Sequence, residues 1–130
     1  VKRRYVQPRS RKGYGGTLNP DINRLEHILK GISRVEETLT VSYDEFIRNQ
    51  DKKDIVFANF AMIGEAAARI SDGLRKAHPD VSWERSVAMR NVLIHNYMAV
   101  DYSIVWDTAM DDLPVLKKQI QKILEDISEK

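Results

Sequence analysis

Apolar residues recur along most of this chain at alternating spacings of three and four, which is the period of an amphipathic α-helix. The pattern continues through four segments, and no strand-like alternation of apolar and polar residues competes with it. We therefore predict an all-α protein, an antiparallel bundle of four main helices with short connections. The four stripes are Leu25, Ile28, Ile32, Val35 and Leu39; Val56, Phe60, Ile63, Ala67, Ile70 and Leu74; Trp83, Val87, Arg90, Ile94 and Tyr97; and Ala109, Leu113, Leu116, Ile120, Ile123 and Ile127.

Capping residues predict where the first two helices begin. Asn19, followed by Pro20 and an acid, is typical of a helix start, and the first helix is expected to run to about Thr40. Ser42 and Glu45 have the spacing of a capping box, which predicts an additional short helix before the second stripe.

The second stripe predicts one long helix from about Asp51 to Ala77, ended by Pro79. Ser82 is expected to cap the third main helix and Asp101 the last one. Because a proline inside a helix removes a backbone hydrogen bond, Pro114 predicts a kink or a restart near Asp111–Asp112. Small residues in the long helix, at Gly64 and 66–68, allow another helix to approach closely.

Charge divides the chain into two predicted parts, a basic flexible tail at 1–18 and a helical domain at 19–130. Residues 1–20 hold six of the 21 basic residues and none of the 19 acids, so the remainder carries a net charge of −4. The tail is interpreted either as a disordered leader or as a basic arm that touches RNA or a partner. The chain has no cysteine and no apolar run near the roughly 18 residues of a membrane span, which fits a cytoplasmic protein.

Arg90 breaks the apolar stripe of the third main helix. A guanidinium is costly to bury unless it is paired or faces a wet cleft, so Arg90 is a candidate functional residue. One alternative is that it pairs structurally with a buried acid, for which Glu65 in the small-residue stretch is the candidate. In that case the chain would be a purely structural dimer.

Arg90, Asn91 and His95 together suit the cleavage of RNA without a metal ion or cofactor. An imidazole takes and gives protons near neutral pH, and a guanidinium binds phosphate oxygens. Asn91 lies four residues before His95 and can orient it. The base would remove the 2′-OH proton, the oxygen would attack phosphorus, and the product would be a 2′,3′-cyclic phosphate. No metal-ligand spacing or glycine-rich phosphate loop is present in the sequence.

Arg90 and His95 cannot converge on one small target from a single ideal helix. Positions five residues apart differ by about 140° around the helix axis. Either the helix ends near His95, or a second copy of the chain completes the site. A two-fold dimer would line one composite cleft with both Arg90 and both His95 side chains.

The pattern Arg90, four residues, His95, one residue, Tyr97 resembles the signature of the HEPN superfamily, specifically of HepT-like toxins. The flanking residues agree over about Asp21 to Ile127. These are Ile63-Gly64-Glu65-Ala66, Trp83 seven residues before Arg90, Val105-Trp106 and Leu113-Pro114.

The resemblance implies an all-α dimer with an RNase cleft at its interface, in which Arg90 and His95 are the catalytic pair. Asn91 takes the position of the polar residue after the arginine. The resemblance also implies a type II- or VII-like toxin–antitoxin pair, in which the partner is a minimal nucleotidyltransferase that silences the toxin by adding AMP to Tyr97. Such an addition brings negative charge into a cleft built for phosphate.

Two functional hypotheses follow. The first is the metal-independent endoribonuclease toxin. The second is a non-catalytic helical subunit that docks a nucleotidyltransferase or a nucleotide, and the −4 charge outside the tail favours it because RNA affinity comes largely from cations. Tyr97 could also serve only for packing.

Overall fold

The described part of the chain is helical nearly throughout and contains no strand, which confirms the predicted all-α class. In the computed structural model, residues 19–95 and 100–128 are described, those at 92–95 by their backbone alone. The predicted tail at 1–18 and the segment 96–99, which includes Tyr97, lie outside the described residues. The helices are α1 (Pro20–Thr38), α2 (Tyr43–Arg48), α3 (Gln50–Ala68), α4 (Asp72–Ala77), α5 (Trp83–His95), α6 (Tyr102–Asp107) and α7 (Leu113–Ser128), with a π-helical segment at Thr108–Asp112.

Three of the predicted helix starts are confirmed by their capping hydrogen bonds. The Asn19 side chain accepts a hydrogen bond from the Asp21 N–H at 2.9 Å. The Ser42 hydroxyl accepts one from the Glu45 N–H at 3.1 Å, and Asp101 caps α6 in the same way. Each cap satisfies a backbone donor that has no partner inside its helix, so local sequence alone determines these starts.

The prediction of one long helix from Asp51 to Ala77 is wrong, because the chain breaks between α3 and α4. Ser71 caps α4 by accepting a hydrogen bond from the Leu74 N–H at 3.2 Å. The carboxylate of Asp21 on α1 in turn accepts from the Ser71 N–H at 2.9 Å and from its hydroxyl at 2.5 Å. The break is therefore stabilised by a residue 50 positions away in the sequence.

Arg75 replaces the helical hydrogen bonds that this break removes. Its guanidinium donates to the carbonyl of Ala67 at 2.8 Å and to that of Ile70 at 3.3 Å. Carbonyls at a helix end otherwise lack partners, so a side chain from the next helix satisfies them. The predicted additional short helix is α2. The break adds a further short helix, α4, that the sequence did not predict.

The interruption predicted near Asp111–Asp112 is confirmed and takes the form of the π-helical segment. The Leu113 N–H donates to the Thr108 carbonyl, five residues back. Pro114 has no N–H to offer the carbonyl four residues before it, and a wider turn accommodates that loss. Helices α6 and α7 together thus form the predicted last helix, divided by this segment.

Helix α3 lies between α1 and α5 and packs against both, while α7 packs against α1. Most of the described residues in the predicted apolar stripes form the core, and a fully buried Leu or Ile side chain contributes about 1.5–3 kcal/mol. No helix in the described part of the chain is both long enough and apolar enough to cross a membrane. Fully buried members of the core are Leu25, Ile28, Ile32, Val56, Phe46, Ile63, Ala67, Ile120 and Leu124.

Replacing Ser71 by alanine tests the break between α3 and α4. We expect Ser71→Ala to lower the free energy of unfolding by about 1–2 kcal/mol, because it removes both the cap of α4 and the hydroxyl bonded to Asp21. Urea denaturation followed by circular dichroism measures the change. Ser33→Ala is the control, since Ser33 is exposed within α1, and it should cost nothing. Equal stability of the two variants would contradict the assigned break.

Candidate active site

Helices α3 and α5 approach to backbone contact at Gly64. A Cβ built at Gly64 would lie 2.7 Å from the Arg90 Cβ, 2.8 Å from the Arg90 backbone nitrogen and 3.1 Å from the Val87 carbonyl oxygen. Carbon atoms do not pack at such distances, so only glycine permits this approach. The close crossing predicted from the small residues therefore occurs, and it brings the arginine of the motif onto α3.

The crossing places Arg90 beside Glu65, the residue that follows Gly64. Arg90 Nη1 donates to Glu65 Oε1 at 2.7 Å, a charge-assisted hydrogen bond between α5 and α3. The Arg90 side chain is 31% exposed and that of Glu65 is 51% exposed. The structure thus brings Glu65 and Arg90 together, although the two are far apart in the sequence.

The expectation of a buried acid at position 65 is wrong. Glu65 lies at the surface because it faces out from α3 at the edge of the crossing, whereas Gly64 and Ala66 face the neighbouring helices and are buried. A half-exposed pair is well solvated, so it lacks the large desolvation cost of a buried ion pair. The contact therefore orients Arg90 more than it stabilises the fold.

Arg69 also contacts Glu65, one helical turn further along. Its Nε and Nη2 both lie 3.3 Å from Glu65 Oε2, and its side chain is 57% exposed. The hydrogen bond from Arg90, more than any other contact, lowers the pKa of Glu65 below its ordinary value of 4.5, and Arg69 acts in the same direction. A carboxyl with a pKa of 4.5 or less is ionised at neutral pH, and because the pKa of Glu65 is lowered, the pairing weakens only as the pH falls below that ordinary value.

The other residues of the motif follow Arg90 along α5. Asn91 is exposed on the next position of the helix. The backbone of α5 remains helical through His95, so Arg90 and His95 belong to one helix and their positions differ by about 140° around its axis. The side chain of His95 and the whole of Tyr97 lie outside the described residues.

Two candidate residues beside the pair were missed in the sequence. Arg24 and His27 on α1 line a groove with Glu65 and Arg69. The spacing of four between Glu65 and Arg69 was a usable signal for that contact. Nothing in the local sequence places α1 beside α3, so the approach of Arg24 and His27 could not be predicted.

The histidines and acids of the described residues do not assemble as metal ligands. Among the side chains at 19–91 and 100–128, no group of three His, Cys, Asp or Glu could hold a metal ion. The chemistry available at the described site is that of guanidinium and carboxylate groups.

A family model described as "Ribonuclease HepT-like" matches residues 28–123, a range that includes Glu65 and the whole Arg90 to Tyr97 motif. "Putative RNase MJ0125" of Methanocaldococcus jannaschii is 39% identical over 93 residues, which cover 72% of this chain and 80% of that protein. "Probable ribonuclease HepT" of Thermococcus cleftensis is 32% identical over 100 residues, covering 76% of this chain and 91% of that protein. No solved structure matches the chain.

Replacing Gly64 by alanine tests the helix crossing. The added methyl group would meet the backbone and Cβ of Arg90, so α5 must move away from α3. We expect Gly64→Ala to lower the free energy of unfolding by about 1–3 kcal/mol, measured by urea denaturation. The control is Gly73→Ala in α4, where the nearest atom to an added Cβ is Ser71 Oγ at 4.0 Å. That change should be neutral or stabilising by up to about 1 kcal/mol, and equal effects of the two changes would contradict the assigned crossing.

Proposed function

This chain belongs to the HepT-like ribonuclease family, and on that premise we propose that it is a metal-independent endoribonuclease toxin. Relatives that it matches over most of their length carry RNase in their names, which supports the class of enzyme. The proposed substrate is single-stranded RNA, and the proposed reaction is transesterification by the 2′-hydroxyl next to the scissile phosphate.

Each proposed role follows from the chemistry of the residue. Arg90 binds the scissile phosphate and stabilises the negative charge that develops on phosphorus. His95 acts as general base on the 2′-OH and as general acid on the leaving 5′-oxygen, steps that require a group able to exchange protons near neutral pH. Asn91 orients His95. The bond that breaks joins phosphorus to the 5′-oxygen, and the products are a 2′,3′-cyclic phosphate and a 5′-hydroxyl.

The partial exposure of Arg90 is the observation that carries this proposal. A purely structural arginine would direct its donors into the protein, whereas Arg90 contacts one carboxylate through Nη1 and keeps 31% of its side chain exposed. A guanidinium has five N–H donors, and Glu65 is the one acceptor of Arg90 side-chain donors found among the described residues, which leaves donors that a phosphate could bind. Glu65 fixes the guanidinium in place, which makes it a positioning residue that supports the catalytic pair.

The placement of Arg90 and His95 on one continuous helix supports a composite site in a homodimer. Two positions separated by about 140° on α5 do not meet over one phosphate, whereas a two-fold axis would bring the second copies of both residues to the same cleft. A dimer that pairs the α5 helices is therefore part of the proposal.

The surface beside α5 offers apolar area to a second copy. Ile104 is 50% exposed and Val115 56% exposed, and each lies at a groove next to α5. Arg85 and Asp112 line both grooves, and opposite charges on one face permit self-complementary pairing across a two-fold axis. Ala88 lines one of these grooves. Position 95 lies seven residues after Ala88, which is about two turns along the same helix.

We propose in addition that a minimal nucleotidyltransferase acts as the antitoxin and adds AMP to Tyr97. The phenol oxygen would attack the α-phosphorus of ATP, pyrophosphate would leave, and the phenol proton would be lost. The product carries a negative phosphodiester two residues from His95. It would therefore repel RNA phosphate and obstruct the cleft, which silences the enzyme.

Cleavage of RNA in the presence of EDTA tests the catalytic roles. We expect Arg90→Ala and His95→Ala each to lower kcat by roughly 10²–10⁴, the usual contribution of a positioned acid–base or charge-stabilising group. Arg90→Ala keeps the Cβ that lies over Gly64, so the helix crossing should survive. The assay measures the appearance of 2′,3′-cyclic phosphate ends on a labelled RNA.

The matched controls are Arg34→Gln and His78→Ala, which remove the same kinds of side chain away from the site. Arg34 is exposed on α1, and the hydrogen bond that His78 accepts from Trp83 Nε1 uses its backbone carbonyl, which the substitution keeps. Both controls should retain activity. If His95→Ala cleaves as fast as the wild type, or if no form cleaves, the enzyme proposal fails and the non-catalytic docking subunit is the better description.

Intact mass spectrometry tests the proposed silencing. After co-expression with the proposed nucleotidyltransferase partner, we expect the chain to gain mass in AMP units and to lose cleavage activity. Tyr97→Phe should abolish the gain, because it removes the accepting hydroxyl, while Tyr102→Phe in the next helix should retain it. An unmodified wild-type chain, or a gain that persists in Tyr97→Phe, would contradict Tyr97 as the acceptor.

A further inference from the structure

We infer that the groove between α1 and the end of α3 binds a backbone phosphate of the RNA next to the scissile one. The inference rests on the proposed function, because it concerns the same substrate, but it assigns a second contact site outside the Arg90 to Tyr97 motif. The groove has a volume of about 290 Å3, and its lining residues are Arg24, His27, Met62, Glu65, Ala66 and Arg69.

The groove is continuous with the candidate active site. Glu65 forms part of its lining and is also the residue that holds Arg90 Nη1 at 2.7 Å. An RNA chain whose scissile phosphate binds Arg90 would therefore have its next phosphate close to the groove, on the α3 side. The continuity makes a neighbouring phosphate of the same RNA the natural occupant, rather than an unrelated small anion.

The groove and its rim carry more positive than negative charge. Arg24 and Arg69 line the groove, Arg90 pairs with Glu65 at its edge, and Glu65 is the one carboxylate among the described lining residues. By contrast, the chain outside residues 1–20 carries a net charge of −4. Because binding of RNA depends on cations that neutralise phosphates, a local cluster of guanidinium groups in an otherwise acidic surface is a suitable phosphate site.

Arg24 offers a donor that no described residue of the protein uses. Its Nε is buried and has no hydrogen-bond partner among the described residues, and Arg24 takes part in no ion pair that the described residues form. Buried donors without partners are rare in folded proteins, because each costs the free energy of its lost hydration. If the Arg24 side chain turns toward a phosphate in the groove, a phosphate oxygen would supply the acceptor that Nε lacks.

Arg69 and His27 can serve the same ligand. The contact between Arg69 and Glu65 is long, at 3.3 Å, and more than half of the Arg69 side chain is exposed. Arg69 can therefore turn toward a phosphate while Arg90 remains on Glu65. His27 is exposed at the groove and has an N–H donor in either charge state.

Salt-dependent RNA binding tests this site. The probe is a fluorescent single-stranded RNA oligonucleotide, and the protein is the full chain carrying His95→Ala, so that cleavage does not interfere. We expect Arg24→Gln and Arg69→Gln each to weaken binding roughly fivefold at 0.1 M salt. Each should also reduce the slope of log K against log salt concentration by about 0.7, the value for one lost phosphate contact on a single strand.

Arg34→Gln is the matched control, since it removes one arginine from α1 outside the groove and should leave the slope unchanged. Arg24→Lys keeps the charge and should retain most of the slope, which separates lost charge from lost packing. Circular dichroism of each variant confirms that it is folded before binding is compared.

The outcomes separate this inference from the proposed function. If the wild type cleaves and His95→Ala does not, but Arg24→Gln and Arg69→Gln bind with the slope of Arg34→Gln, the groove is not a phosphate site and the enzyme proposal stands. If no form of the chain cleaves, the enzyme proposal fails, whereas the slopes still report whether the groove binds RNA.

Discussion

The candidate site depends on the backbone contact between α3 and α5 at Gly64. The missing side chain lets the Arg90 backbone lie against α3, where a Cβ at Gly64 would come within 2.8 Å of it. Glu65 follows Gly64 directly, so the crossing that brings α5 close also fixes where the carboxylate meets the guanidinium. Packing and electrostatics are thus linked through two neighbouring residues, and a change in one disturbs the other.

The ion pair at this crossing serves orientation, since its exposure limits what it adds to stability. Exposed pairs contribute about 0–1 kcal/mol, because water and salt screen them. The long arginine side chain would otherwise sample many rotamers, and ordering it on binding costs free energy. Because Glu65 holds one terminal nitrogen of Arg90, the side chain is already partly ordered, and substrate binding costs less conformational entropy. The lowered pKa of Glu65 means that the carboxylate keeps its charge into more acidic solution than an ordinary glutamate would.

Features that depend on neighbouring residues in the sequence were predictable, and those that depend on distant contacts were not. The caps at Asn19 and Ser42 follow from local hydrogen bonding, and the interruption before Pro114 follows from the missing N–H. The break after α3 could not be predicted, because Ile70 continues the helical spacing and the stabilising carboxylate belongs to Asp21, 50 residues earlier. The contact of Glu65 with Arg90 was anticipated from an out-of-place charge, but its exposure depends on how three helices meet.

Helix α5 carries both proposed catalytic positions, 90 and 95. Arg90 is fixed within the chain, by Gly64 behind it and Glu65 beside it. Position 95 lies five residues further on the same helix, about 140° around its axis from position 90. The fold of one copy therefore fixes the proposed phosphate-binding group, and helical geometry separates its position from that of the proposed acid–base. If a second copy completes the cleft, catalysis depends on association, and the activity per chain should rise with protein concentration until the dimer is saturated.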